Sequence, residues 1–147
     1  MKTIGFRPVE NAQDIIDEIH GVLGPVLVPA YLDNLYPFRW QPTATTGGKR
    51  VGSLTATTSI PTDSAENNNY HDIILMAAFY HNGTPAELEA AERAINGVEA
   101  AVWNALIPHR ATHWNRIEPP RPSIKPGAPE GAANWRAVYI YIRASRT

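Results

Sequence analysis

At 147 residues, with 44% hydrophobic and 18% charged side chains, the chain has the size and composition of one globular domain that can bury most of its apolar surface. It contains no cysteine, which excludes disulfides, thiolate nucleophiles and cysteine zinc sites. The net charge of −1 is unevenly spread: residues 1–107 carry six basic and twelve acidic side chains, residues 108–147 seven basic and two acidic. An acidic front and a basic tail argue against a general nucleic-acid binder, and suit either complementary patches between copies or ordinary surface scatter.

No apolar run approaches the ~18 residues needed to span a bilayer. The stretch Met1-Lys2-Thr3-Ile4-Gly5-Phe6-Arg7-Pro8 has one lysine but no apolar core behind it, so it does not read as a signal peptide and a cytoplasmic site of synthesis and assembly is expected.

The first element is a helix over 11–23. Asn11 can cap it, Asp14 suits its positive end, and Ile15, Ile16, Ile19, Val22 and Leu23 share one face. Gly24-Pro25 is expected to end it. Residues 26–41 are apolar and aromatic but broken by prolines at 25, 29, 37 and 42, which predicts a connecting turn and a short strand at about 37–43. Residues 42–69, with seven threonines, Gly47-Gly48 and Asn67-Asn68-Asn69, read as a long polar loop holding at most a loose hairpin around Val51, Leu54 and Ile60.

His71 to Tyr80 is almost wholly apolar, as in a strand covered on both faces. Asn82-Gly83 turns the chain. Thr84-Pro85-Ala86-Glu87 then opens a helix, with threonine as cap, proline at the first turn and glutamate able to bond back to the cap. Leu88, Ala91, Ile95, Val98, Val102 and Ala105 form its buried stripe, and Pro108 stops it. A short mixed strand is expected at 112–118, and a clean one at 135–144, with Val138, Ile140 and Ile142 opposite Tyr139, Tyr141 and Arg143. Between them five prolines from 119 to 129 predict a stiff arm over 119–134. The whole reads as a single α+β domain over 1–147: a small, mostly antiparallel sheet with two helices packed on one face.

Catalytic templates fail. Gly47-Gly48-Lys49-Arg50 lacks phosphate-loop spacing, and there is no Gly-x-Ser-x-Gly elbow. His109 and His113 have ligand spacing only on a shared helix, which Pro108 opposes. His71 and Asp72 point to opposite faces if they lie on a strand. His20 and His81 fall near element ends, where a solvated imidazole is the default. No enzyme activity, cofactor or metal is therefore expected. The aromatic and arginine side chains are more informative. Trp40, Trp114, Trp135, Tyr139 and Tyr141 lie close in sequence to Arg39, Arg116, Arg136 and Arg143, the types enriched at interfaces. Such rings also stack on single-stranded RNA, or simply fill a core.

The order of elements resembles the tail-terminator and neck (head–tail joining) proteins of long-tailed bacteriophages: a helix at Asn11 to Leu23, strands split by the 42–69 loop, a long helix from Thr84 to Ile107, then two closing strands. The resemblance is one of pattern and length across nearly the whole chain, with no diagnostic motif. It implies a structural virion protein that forms a six-fold ring on the last ring of tail-tube subunits, stops tube polymerisation and meets the head connector. On it, Arg39, Trp40, Trp114, Arg116, Tyr139, Tyr141 and Arg143 would meet neighbouring subunits or the tube. Lys49 and Arg50 would face the lumen through which DNA passes. A connector, a tube subunit or a small ferredoxin-like RNA- or peptide-binding module would share much of this pattern.

Overall fold

The computed structural model describes residues 11–40, 48–61, 69–109, 116–117 and 134–146. The elements run α1 (Ala12–Leu27), β1 (Asn34–Tyr36), β2 (Arg50–Pro61), β3 (Asn69–Tyr80), α2 (Pro85–Leu106), a 3-10 turn (Ile107–His109), β4 (Arg116–Ile117) and β5 (Trp135–Arg146). The strands form one five-stranded sheet in the order β1-β2-β3-β5-β4. All pairs are antiparallel except β1 with β2, and the helices pack on one face, which makes this an α+β fold.

Local chemistry explains the helices. The Asn11 side chain accepts from the Gln13 amide and caps α1, and the Ile15, Ile16, Ile19, Leu23 and Leu27 side chains turn inward. The helix does not stop at Gly24-Pro25 as the sequence suggests. Pro25 lies within the last turn, where its missing N–H affects one bond, and the extra turn buries Leu27 completely. Thr84 caps α2 through the Glu87 amide. Glu87, however, accepts from the Asn82 amide at 2.6 Å, while the Thr84 amide bonds to Asn82 Oδ1, so the reciprocal partner is the turn and not the cap. The buried stripe of α2 is Ala91, Ile95, Val98, Val102 and Leu106; Leu88 and Ala105 are only half-buried.

The strands correct the sequence reading more deeply. The short strand sits at Asn34–Tyr36, ahead of the expected 37–43, because Pro37 offers no N–H with which to continue the ladder. The expected loop over 42–69 contains β2, twelve residues long and paired with β3 from Arg50↔Phe79 to Pro61↔Asn69, with one irregularity between Ala56 and Thr58. Its threonines are β-branched and suit a pleated surface. Gly52 suits a close approach: a Cβ there would lie 2.8 Å from Leu32 and 2.9 Å from Leu35, whose side chains seal this end of the core. Residues 42–47 and 62–68 of the expected loop lie outside the described residues. So do positions 112–115 and 118 of the mixed strand and positions 119–133 of the proline arm.

Strand alternation sorts the sheet into two faces. Leu54, Ile73, Leu75, Ala77, Phe79, Val138, Ile140, Ile142 and Ala144 meet the two helices in the main core. On the opposite face Met76, Ala78, Trp135 and Ala137 form a second buried cluster, with Trp40, Tyr80 and Tyr139 packed against it.

Candidate interface on the helix-free face of the sheet

The second face is built by β3 and β5 in register. Tyr80 lies opposite Trp135, Met76 opposite Tyr139, Ile74 opposite Tyr141, and Asp72 opposite Arg143. Tyr80 and Trp135 meet edge to face at 5.5 Å. Trp40 reaches this face from the segment after β1. Its ring lies 5.5 Å from Tyr36, which in turn lies 5.1 Å from Phe38, and its carbonyl accepts from Ser53 Oγ at 3.4 Å. Four of the sequence-predicted interface residues, Trp40, Tyr139, Tyr141 and Arg143, therefore share this face. Arg39 is exposed beside Trp40. Arg116 contributes backbone to β4, its side chain being outside the described residues, as is the whole of Trp114. Burial, then the neighbouring Tyr141, push the Tyr139 phenol above its ordinary pKa, so it serves as a neutral hydrogen-bonding group.

At the far end of this face Arg143 forms a fork with Asp72, Nε to Oδ1 at 2.7 Å and Nη2 to Oδ2 at 3.0 Å. The pair edges a depression of about 130 Å³ shared with Thr57 and Tyr141. Elsewhere the same pattern recurs. Arg136 of β5 bonds to Glu92 of α2, Arg93 to Glu89, and Arg50 to Asp33. Of the arginines whose side chains are described, all but Arg39 have a carboxylate partner in their own chain.

Lys49 and Arg50 stand where β2 begins. Asp33 Oδ2 accepts both their amides at 3.1 Å, and Oδ1 accepts Arg50 Nη2 at 2.8 Å. Burial opposes ionisation of Asp33, but the Arg50 side chain, the Lys49 amide and the Arg50 charge and amide outweigh it, holding the carboxyl below its ordinary pKa. The Lys49 ammonium sits 5.5 Å from the Tyr80 ring centre. Arg50 is thus paired with a carboxylate, and Lys49 rests over a ring face.

His20, His71 and His81 are held within the fold rather than solvated, while the His109 side chain lies outside the described residues. His20 Nε2 bonds to the Leu35 carbonyl at 2.8 Å. His81 is buried, its Nδ1 accepting the Gly83 amide and its own amide donating to the Asn134 carbonyl. Sequence position places these residues at element ends, but the tight turn into α2 encloses His81. His71 is buried on the helix side and Asp72 lies on the other face, as strand alternation requires. His113 falls outside the described residues, and among those described no group of three or more His, Asp or Glu could hold a metal ion.

Neither a comparison with models of known protein families nor one with curated protein sequences gives a match to this chain.

Proposed function

We propose that the protein is a structural assembly subunit, a tail terminator that closes a six-membered ring at the head-proximal end of a bacteriophage tail tube. There it stops tube growth and meets the head connector and the tube protein, while DNA passes transiently through its lumen. In this reading it assembles in the host cytoplasm, ends in the virion, and has no catalytic role or cofactor. The supporting observation is the sheet itself: helices cover one face, while the other carries the half-buried rings of Trp40, Tyr80, Tyr139 and Tyr141 around the buried Trp135, flanked by the Asp72–Arg143 pair. Tyrosine, tryptophan and arginine on a rigid sheet are what protein interfaces use at their energetic centres.

The competing reading, a sheet that stacks on single-stranded RNA, needs cations available to release counterions from phosphates. The described arginines are instead committed to carboxylates of the same chain, Arg39 excepted. Of the two cations expected to face the lumen, Arg50 is paired with Asp33, while Lys49 lies over the Tyr80 ring. Negative-stain electron microscopy of the purified protein tests the proposal. Closed annular particles of uniform diameter are expected. Open filaments would point to a tube subunit instead, and compact particles that bind labelled single-stranded RNA in a salt-sensitive way would favour the RNA reading.

A further inference from the structure

A cleft of about 200 Å³ opens between the first half of α2 and the adjoining ends of β2 and β3. Phe79, Tyr80, Ala90, Ala91 and Ala94 give it an apolar lining; Lys49, Arg50 and Glu87 are its charged members, and because Arg50 is paired with Asp33, Lys49 and Glu87 leave one charge of each sign to meet a partner. An apolar cavity of about 150 Å³ holds benzene, so this one has room for a single phenyl ring. Elsewhere on the molecule Phe38 stands 51% exposed at the end of the Tyr36–Phe38 ring contact. Exposed Arg39 follows it. At the residue before it, Gln13 Nε2 bridges the Pro37 carbonyl, at 2.7 Å, and the Asp17 carboxylate, at 3.0 Å. The projecting ring thus has one cation, Arg39, beside it in the chain and one anion, Asp17, linked to the residue before it.

A chain cannot fill its own cleft with this ring. Tyr36 is level with Ser53 of β2, so Phe38 lies beyond that point, whereas the cleft begins at Lys49. At ~3.3 Å per residue the two are separated by at least roughly 13 Å along the strand, with β2 between β1 and β3.

We infer that Phe38 of one copy seats in the α2–β2 cleft of a second copy, with Arg39 meeting Glu87 and Asp17 meeting Lys49 across the contact. Ring and cleft are different patches, so the contact is head-to-tail and leaves each copy with one ring and one cleft to offer. Such a contact generates a closed ring or an open helix, never a simple two-fold dimer. The inference rests on the self-assembly reading above and names the surfaces that carry it.

Two surface variants separate the halves of the contact. Phe38→Ser removes the ring, and Ala90→Trp, at an exposed helix position, fills the cleft. Each alone should lower self-association at least about tenfold, the loss expected of an interface anchor, with circular dichroism and the thermal midpoint unchanged. Mixed in equal amounts they should give a complex of two chains and nothing larger, because only one intact contact can form. Since the chain has no cysteine, Phe38→Cys and Ala90→Cys chains mixed under mild oxidation should yield a cross-linked pair, giving a readout that does not depend on strong association. Wild-type protein that assembles while both Phe38→Ser and Ala90→Trp assemble equally well would overturn this contact and leave the ring reading standing. Wild-type protein that stays monomeric, with no cross-linked pair and no binding to the end of a tail tube, would overturn both.

Discussion

Asp33 and Arg50 lock the start of the longest hairpin to the short strand beside it. One carboxylate oxygen accepts the amides of Lys49 and Arg50, and the other accepts the Arg50 side chain through both Nε, at 3.2 Å, and Nη2, at 2.8 Å. The same guanidinium also bonds to the Pro29 carbonyl at 3.3 Å. The turn after α1, the parallel β1–β2 pair and the cleft proposed to receive Phe38 therefore depend on one acidic side chain.

Asp33→Ala is expected to cost about 1 kcal/mol at neutral pH, a charged hydrogen-bond contribution reduced by solvent screening because the side chain is 37% exposed. The carboxyl's folded-state pKa lies below its unfolded value of about 3.9. Its contribution is thus present in full above that value and is lost as pH falls through the folded one. Urea unfolding of wild type and variant should differ at pH 7, and the difference should shrink as acid protonates the folded-state carboxylate.

Gly48 and Gly21 should respond to alanine with opposite signs. Gly48 has φ +107°, and a Cβ there would lie 2.7 Å from Asp33 Oδ2, so Gly48→Ala should destabilise by about 1–3 kcal/mol. Gly21 is exposed within α1 with nothing within 4 Å, so Gly21→Ala should stabilise by about 0.5–1 kcal/mol. Thermal midpoints moving in the same direction would refute the local account of both positions.

Asp72 and Arg143 should behave as a coupled pair. Each is largely shielded, with side chains 22% and 29% exposed. Removing either alone takes the charged fork from its partner and should cost about 1–3 kcal/mol. In a double-mutant cycle Asp72→Ala with Arg143→Ala should cost less than the sum, by about 1 kcal/mol. Strict additivity would show that the fork contributes nothing.

Tyr141 gives a separation of assembly from folding. It lies half-buried on the helix-free face, outside both buried clusters. Tyr141→Ser should leave urea stability within about 0.5 kcal/mol of wild type while weakening self-association or tube binding about tenfold. A variant that unfolds readily yet assembles normally would assign this tyrosine to the core.

The helices were legible because their punctuation is local. Asn11 and Thr84-Pro85 act within one turn, and the inward stripes recur at helical spacing. The alternation of β5 was equally plain and brought Tyr139, Tyr141 and Arg143 to one face. β2 was hidden because its apolar buried positions, Val51 and Leu54, are separated by two buried residues that are small or polar: Gly52 fits under Leu32 and Leu35, and Ser53 is buried against the Trp40 carbonyl. Hydrophobic periodicity does not register such residues. The continuation of α1 through Pro25 was likewise decided by burial of Leu27, a tertiary gain that outweighs a local signal. The acids that engage the predicted arginines lie 17 and 71 residues away, Asp33 for Arg50 and Asp72 for Arg143, so only the register of the sheet reveals that these charges are already met.

The most direct test of the central claim is the native mass of the purified 16.2 kDa chain, measured by sedimentation velocity across a wide range of protein and magnesium concentrations. The account predicts one closed species of about six chains whose mass stops rising with concentration, as ring closure requires. A strict monomer throughout that range, unable to bind the end of a tail tube, would contradict it.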